Sequence, residues 1–331
     1  MNHQQDLSYM KKNIAVIMGG YSSEVEISIK SGQVVLKHLD NDLYNAYEVH
    51  ILKEKWFVLK DGIEYPIDKH DFSTEVNGKN LTFDFVFNVI HGSPGEDGAI
   101  LAYFDLIHLS HSSAPFYQMA LTFNKRDCLS VAKNFGIQTA TSYYLNKGDK
   151  VDIDNILEKV GLPCFVKPNN AGSSYGISKV HKKEDFTQAL EMAFKEDAEI
   201  LIESFLDGIE VSVGVIQYKD TIKVLPITEI VSENDFFDYE AKYLGKSKEI
   251  TPARISETQK INVSKAAIHL YTSLQMTGFS RSEFIFIGET PYFLEMNTVP
   301  GMTEASLLPQ QAEIAGISLK ALLTDTIERN F

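Results

Sequence analysis

The sequence predicts a mixed α/β and α+β chain folded as three packed units, and three observations carry that reading. Its 331 residues allow two or three units at roughly 100–200 residues each. The first third holds β-branched, strand-like runs and a helix-period segment, broken by glycine turns. Further on, two pairs of apolar runs separated by turn residues read as hairpins. Hydrophobic residues make up 44% and charged residues 23% of the chain, so a large core can form and global disorder is excluded.

Residues 1–12 read as a frayed leader. Ile14-Ala15-Val16-Ile17-Met18 is expected as a buried strand, stopped by Gly19-Gly20. Ser23 is expected to open a helix, with Glu26 at capping-box spacing and Val25, Ile29, Leu36 and Leu39 on one face. Strand, glycine turn and helix start in succession form a place where ligands gather in α/β sheets. Residues 83–90 read as another strand, ending in the loop His91-Gly92-Ser93-Pro94-Gly95-Glu96-Asp97-Gly98. The first unit is expected over 13–120. The second, 121–210, opens with a helix through Lys125 and Lys133. Strands at 164–167 and 177–180 flank small, turn-prone residues, a hairpin with a mobile tip. A helix over 183–195 and a strand over 199–203 follow. The third unit, 211–331, opens with a strand over 211–215. It contains a polar stretch, 232–255, without a clean period, expected as a lid. It also carries a hairpin over 279–297 that turns at Gly288-Glu289-Thr290-Pro291.

The formal net charge of −14 disfavours nucleic acid and anionic membranes, which reward a basic face. It does not bar a phosphate ligand, which needs only local cations. Two cysteines, Cys128 and Cys164, cannot build a disulfide framework. The polar start has no apolar signal core, and the apolar runs are too short to span a bilayer. A cytoplasmic location is expected.

The most informative chemistry lies in the last hairpin. Alternate strand residues share a face, so Arg281 with Glu283, and Glu295 with Asn297, would converge if the strands pair. Two carboxylates and an amide oxygen suit Mg²⁺, which takes a few protein oxygens and keeps substrate phosphates. A guanidinium there would stabilise charge developing on a transferring phosphoryl or tetrahedral centre. From spacing alone, a surface hairpin with salt bridges fits equally well. Lys125 in an early helix and Lys167 at a strand end beside the Gly/Ser tip suit a phosphate cradle, though either alone reads as a surface lysine. Two motifs fail on context. Gly245-Lys246-Ser247 lacks the leading glycine of a P-loop, since Glu240 stands there. Gly172-Ser173-Ser174-Tyr175-Gly176 fits a nucleophile elbow, which must run into a helix, whereas a strand follows. His38, His50 and His70 show no partner pattern, while His91 sits at a strand end in a glycine-rich loop.

Taken together, these segments resemble the D-alanine–D-alanine ligases of the ATP-grasp superfamily. The blocks that carry the likeness are Gly19 to Ser28, His91-Gly92 with Gly95-Glu96-Asp97-Gly98, Lys167-Pro168 with Gly172-Ser173-Ser174, Phe237 to Tyr243, and Glu295 to Thr303. In this order they cover the chain from about Asn13 onward. The resemblance implies a three-domain ATP-grasp architecture with an N-terminal Rossmann-like domain, and ATP between the central and C-terminal domains. It implies that Glu24 takes the ammonium of the first D-alanine in a triad with Ser173 and Tyr243, with His91 near that substrate. Lys125 and Lys167 would bind phosphates, Glu203 and Leu206 read adenine, Glu210 hold the ribose, and Phe236 and Leu294 flank the base. Lys242 and Tyr243 would close over the γ-phosphate. Arg281, the Gly301 N–H, Ser306 and Leu307 would hold the second D-alanine and the tetrahedral intermediate. Two Mg²⁺ (or Mn²⁺) ions would sit on Glu283, Glu295 and Asn297. The family usually has Asp where this chain has Glu283, one methylene longer, and Trp where it has Phe205.

The implied reaction is ATP-dependent ligation of two D-alanines through a D-alanyl phosphate, supplying peptidoglycan precursors, by a homodimer. Acyl phosphates hydrolyse readily, so water must be kept out; residues 232–255 and the 172–176 tip are the candidate lids. A ligase for another amino-acid or peptide pair shares the fold, but the Glu24–Ser173–Tyr243 set favours D-alanine. A non-catalytic nucleotide-binding regulator would be expected to lack a metal ligand or phosphate lysine, and this chain has them all.

Overall fold

In the computed structural model, residues 11–170, 172, 176–232 and 247–331 are described. The first unit contains β1 (Lys12–Gly19), α1 (Val25–His38), β2 (Tyr44–Ile51), β3 (Trp56–Lys60), β4 (Ile63–Pro66), β5 (Thr74–Val76), β6 (Lys79–Leu81), β7 (Phe85–Asn88), α2 (Ala99–Leu106) and α3 (Phe116–Phe123). Five of these strands form a sheet in the order β4-β3-β2-β1-β7, with β1 parallel to both β2 and β7. Both faces of β1 are covered: Ala15 and Ile17 enter one core, Ile14, Val16 and Met18 another. That is why this strand is an unbroken apolar run. Lys12 already belongs to β1, and residues 1–10 of the expected leader lie outside the described residues.

Helix α1 begins one residue later than the capping-box spacing implies. Glu24 is its N-cap and makes no side-chain cap. The face it buries is Ser28, Ser31, Gly32 and Val35, not only the large apolar residues. Small residues let it lie close to β1: a Cβ at Gly32 would stand 2.5 Å from Met18 Cε.

The second unit contains α4 (Lys125–Asn134), β8 (Ser142–Asn146), α5 (Ile153–Val160), β9 (Cys164–Pro168), β10 (Ser178–Val180), α6 (Phe186–Glu196) and β11 (Glu199–Ser204). Leu121 ends up in α3, because Asn124 breaks the expected helix and caps α4 by accepting the Asp127 N–H at 3.0 Å. The antiparallel sheet runs β10-β9-β11-β8. Val166, Ile202 and Phe186 form its core.

The third unit contains β12 (Ile209–Tyr218), β13 (Thr221–Val224), β14 (Thr228–Ser232), β15 (Ser247–Ile250), α7 (Glu257–Ser273), β16 (Phe279–Ile287), β17 (Thr290–Asn297), α8 (Leu307–Ile314) and α9 (Leu319–Glu328). Its sheet runs β15-β14-β12-β16-β17, with β13 also on β12. Part of the expected lid is anchored. Residues 247–250 pair with β14, the Ala253 N–H donates to the Ile227 carbonyl at 2.8 Å, and Arg254 grips Glu229 through Nε at 2.8 Å and Nη2 at 2.7 Å. Leu322, Leu323 and Ile327 of α9 pack into the core that holds Ile14 and Val16. Lys12 and Tyr44 both reach Glu328, at 3.4 and 2.7 Å.

Candidate active site

Because β1 and β7 are parallel neighbours, their carboxyl ends open together, and the loops that follow them meet. Ser28 Oγ accepts the Gly19 N–H at 2.9 Å and donates to the Val89 carbonyl at 2.8 Å. The Tyr21 N–H reaches the Ser93 carbonyl at 2.7 Å, and the Ser22 hydroxyl donates to the His91 carbonyl at 3.0 Å. These ties set Glu24 and His91 side by side, both buried. Gly92, at φ +67°, lies where a Cβ would be 2.9 Å from Ser22 Oγ, so the turn requires glycine. His91 Nε2 lies 3.5 Å from Ser31 Oγ, which accepts the Met302 N–H at 3.3 Å. Residues 299–302 are thereby joined to the same floor. Burial pulls the His91 imidazole below its ordinary pKa. Glu24 and the Val299 backbone oppose this, and Arg281 adds to it. Neutral imidazole therefore dominates at pH 7. Glu96 accepts the Gly92 N–H at 3.0 Å. Burial, then the charge of Glu24, pushes its carboxyl up to about 7, with Lys125 pulling the other way.

The β16–β17 hairpin forms the opposite wall. Arg281 pairs with Asn297 and Glu283 with Glu295, with a bulge just after Glu283. Opposed antiparallel residues share a face, so all four groups converge. Arg281 Nη1 lies 2.8 Å from Glu283 Oε1, which also accepts from Ser212 Oγ at 3.3 Å. Two carboxylates directly opposite one another repel unless a cation intervenes. With the Asn297 amide they are hard oxygen donors suited to Mg²⁺. Among the described residues, no three His, Cys, Asp or Glu side chains cluster as a metal site.

The lysines face this wall. Lys125, buried at the first position of α4, has Nζ 3.3 Å from Glu295 Oε2. Lys167 on β9 pairs with Glu203 on β11. Burial alone would lower the Lys167 pKa, but Glu203, then Glu295 and Glu210, hold it above the ordinary lysine range. The ammonium therefore stays charged inside the cleft. Glu210 lies on β12, Leu206 in the connection from β11, and Leu294 on β17, the last two half-buried. Ser306 is the N-cap residue of α8, without a side-chain cap bond, and Leu307 is the helix's first residue. Ser306 Oγ accepts the Thr303 N–H at 3.1 Å, and a Cβ at Gly301 would stand 2.6 Å from it.

The structure thus brings Glu24, His91, Arg281, Lys125, Lys167, Glu203, Glu210, Glu283, Glu295 and Asn297 to one cleft. Ser173, Phe236, Lys242 and Tyr243 lie outside the described residues. Gly172, next to Ser173, is placed: a Cβ there would be 2.6 Å from Glu24 Oε2. Residues 178–180 are strand, so the elbow context is absent, as expected. Sequence reasoning missed Glu96, Ser31 and Asn169. Ser28 and Ser31 stand four and seven residues after Glu24, on one helical face, a spacing that could have flagged them.

The D-ala D-ala ligase N-terminus family profile matches residues 13–114, and the D-ala D-ala ligase C-terminus profile matches 131–328. The chain belongs to the D-alanine–D-alanine ligase family. A D-alanine--D-alanine ligase of Flavobacterium johnsoniae is 64% identical, covering 96% of this chain and 98% of the relative. A crystal structure of a D-Ala:D-Ser ligase from Enterococcus faecalis superposes with a TM-score of 0.84 at 27% identity, over 97% of this chain and 100% of that one. The Bacillus anthracis D-alanine--D-alanine ligase complexed with ATP gives 0.77 at 28% identity, over 96% and 97%. The expected ATP-grasp architecture is therefore the fold of this family member. No helix among the described residues is long and apolar enough to cross a membrane.

Proposed function

We propose that this chain joins two D-alanine molecules to D-alanyl-D-alanine, converting ATP to ADP and phosphate through a D-alanyl phosphate. The observation that carries the reading is one cleft with a buried carboxylate beside a neutral histidine at one end and two buried lysines at the other, with Arg281 near His91. A carboxylate suits an amino-acid ammonium, lysines suit a triphosphate, and an arginine suits an oxyanion.

Glu24 holds the first D-alanine by its ammonium, in a set with Ser173 and Tyr243, and His91 orients it. Lys125, Lys167 and Lys242 draw the γ-phosphate toward the substrate carboxylate. Glu203 and Leu206 read adenine, Glu210 takes the ribose, and Phe236 and Leu294 flank the base. Glu283, Glu295 and Asn297 would hold two Mg²⁺ or Mn²⁺ ions, which when bound offset charge on the transferring phosphate. The second D-alanine, placed by Ser306 and Leu307, attacks the acyl phosphate as its free amine, and inorganic phosphate leaves. Arg281 and the Gly301 N–H stabilise the oxyanion that forms. The 232–255 segment and the 172–176 tip serve as the lids that exclude water.

This reading includes domains over 13–120, 121–210 and 211–331, a cytoplasmic homodimer, and a place in peptidoglycan precursor synthesis. Membrane and nucleic acid take no part. The test is ATP turnover with D-alanine, L-alanine and D-lactate in parallel. D-alanine-dependent phosphate release with dipeptide formed is expected. Equal release with L-alanine, or none with D-alanine, refutes the assignment, and dominant ester from D-lactate refutes an amine as the preferred acceptor.

A further inference from the structure

We propose that Asn169 is a positioning residue that fixes the phosphate-binding Lys125 against Lys167. The two lysines arise from different elements, α4 and β9, and no described hydrogen bond joins their side chains. Asn169 lies two residues beyond Lys167, is 1% exposed, and ties both elements together. Its carbonyl accepts the Lys125 N–H at 3.3 Å, and its Oδ1 accepts the Arg126 N–H at 2.8 Å. These are donors of the first turn of α4, which have no partner inside their own helix. Asn169 therefore caps α4 from just past the end of β9. Its remaining groups are anchored too. Its N–H donates to the Glu199 carbonyl at 3.0 Å, and its Nδ2 to Glu199 Oε2 at 2.8 Å. Glu199 closes the ring, holding Arg126 Nη2 at 3.2 Å and Asn124 Nδ2 at 3.5 Å. The next residue, Asn170, is clamped to Asp197 through its N–H at 2.7 Å and Nδ2 at 2.9 Å.

The consequence is mechanical. The segment carrying Lys167 cannot shift along α4 without breaking the first-turn bonds of the helix that carries Lys125. Asn170, the residue that follows, is held beside the same ring through Asp197. A carboxylate or a short aliphatic side chain at 169 cannot serve, because the position must accept from Arg126 and donate to Glu199 together.

The inference rests on the proposed phosphate role of Lys125 and Lys167, and its test separates the two. Steady-state constants for ATP and for D-alanine, ADP affinity, and thermal midpoints are measured for N169A, N169D, E199Q, the N169D/E199Q pair and K125M. N169D keeps the acceptor but sets two carboxylates together; adding E199Q restores a donor. The expected result is an ATP KM and an ADP Kd raised roughly tenfold or more in N169A and N169D, because a misplacement on the order of 1 Å can cost about a hundredfold. The D-alanine KM stays near wild type, and N169D/E199Q recovers most of the ATP affinity. A lowered thermal midpoint with unchanged ATP and ADP constants would overturn the inference, as would failure of E199Q to rescue N169D. Weakened K125M beside normal N169A overturns the clamp alone. Unchanged K125M overturns the lysine's phosphate role and the clamp with it.

Discussion

Arg281 stands where two demands meet, since its guanidinium holds Glu283 at 2.8 Å and acts electrostatically on His91. R281A is expected to lower kcat/KM by about 2.7–4 kcal/mol of transition-state stabilisation, the cost of one oxyanion donor. Phosphate release at saturating ATP measures it, and near-normal turnover would remove Arg281 from the mechanism. Glu96 makes a different prediction. Its folded-state pKa of about 7 lies above its ordinary 4.5, so it binds its proton more tightly folded than unfolded. It costs no stability below about pH 4.5, destabilises progressively as pH rises, and carries its full cost above 7. The difference is on the order of 3 kcal/mol. Urea midpoints of wild type and E96Q should diverge in favour of E96Q as pH climbs from 4.5 to 7. Parallel curves would show that Glu96 ionises freely. Both proteins retain His91, so its contribution cancels in the difference.

At the scale of single elements, helix α1 depends on small residues. A Cβ at Gly32 would stand 2.5 Å from Met18 Cε and 3.1 Å from Met18 Cβ. G32V should therefore destabilise by about 1–3 kcal/mol through overpacking, read as a lower thermal midpoint. Such crowding also explains what could be read from sequence and what could not. The unbroken run 14–18, the paired runs 164–168 and 178–180, and the 279–297 hairpin were legible because their period and flanking turns are local signals. The start of α1 was not. Its Ser23/Glu26 spacing invites a capping box, but Ser22 bonds His91 and Glu24 turns into the cleft, so tertiary contacts outcompete a local cap. The helix expected through Lys125 breaks at Asn124 for a similar reason. Asn124 caps α4 locally, but the bonds from Asn169 come from the residue just past β9, which no window of nearby residues contains. Among the candidate site residues, the convergence of Arg281, Glu283, Glu295 and Asn297 followed from strand alternation, whereas that spacing fitted a salt-bridged surface hairpin equally well. Glu24 and His91 gained meaning only from family likeness, and Glu96 escaped notice because burial sets its chemistry.

Across the whole molecule, α9 of the third unit packs on the sheet of the first, so these units share a core. Leu323 and Ile327 are fully buried there, and L323A or I327A should cost about 2–5 kcal/mol. Unfolding followed by both tryptophan fluorescence and circular dichroism should lose the signal of Trp56, in the first unit, together with the helical signal. Separate transitions would show that the shared core does not couple them. The same docking sets Lys12 3.4 Å from Glu328 and over the ring of Phe331. Strand β1 and the final helix are thus neighbours in space despite lying far apart along the polypeptide. A rearranged gene could join them with a short flexible bridge and reopen the backbone at Gly62, whose positive φ leaves it in an open turn with nothing within 4 Å of a Cβ. Such a permuted protein should keep its catalytic rate, because neither the seam nor the cut touches the cleft.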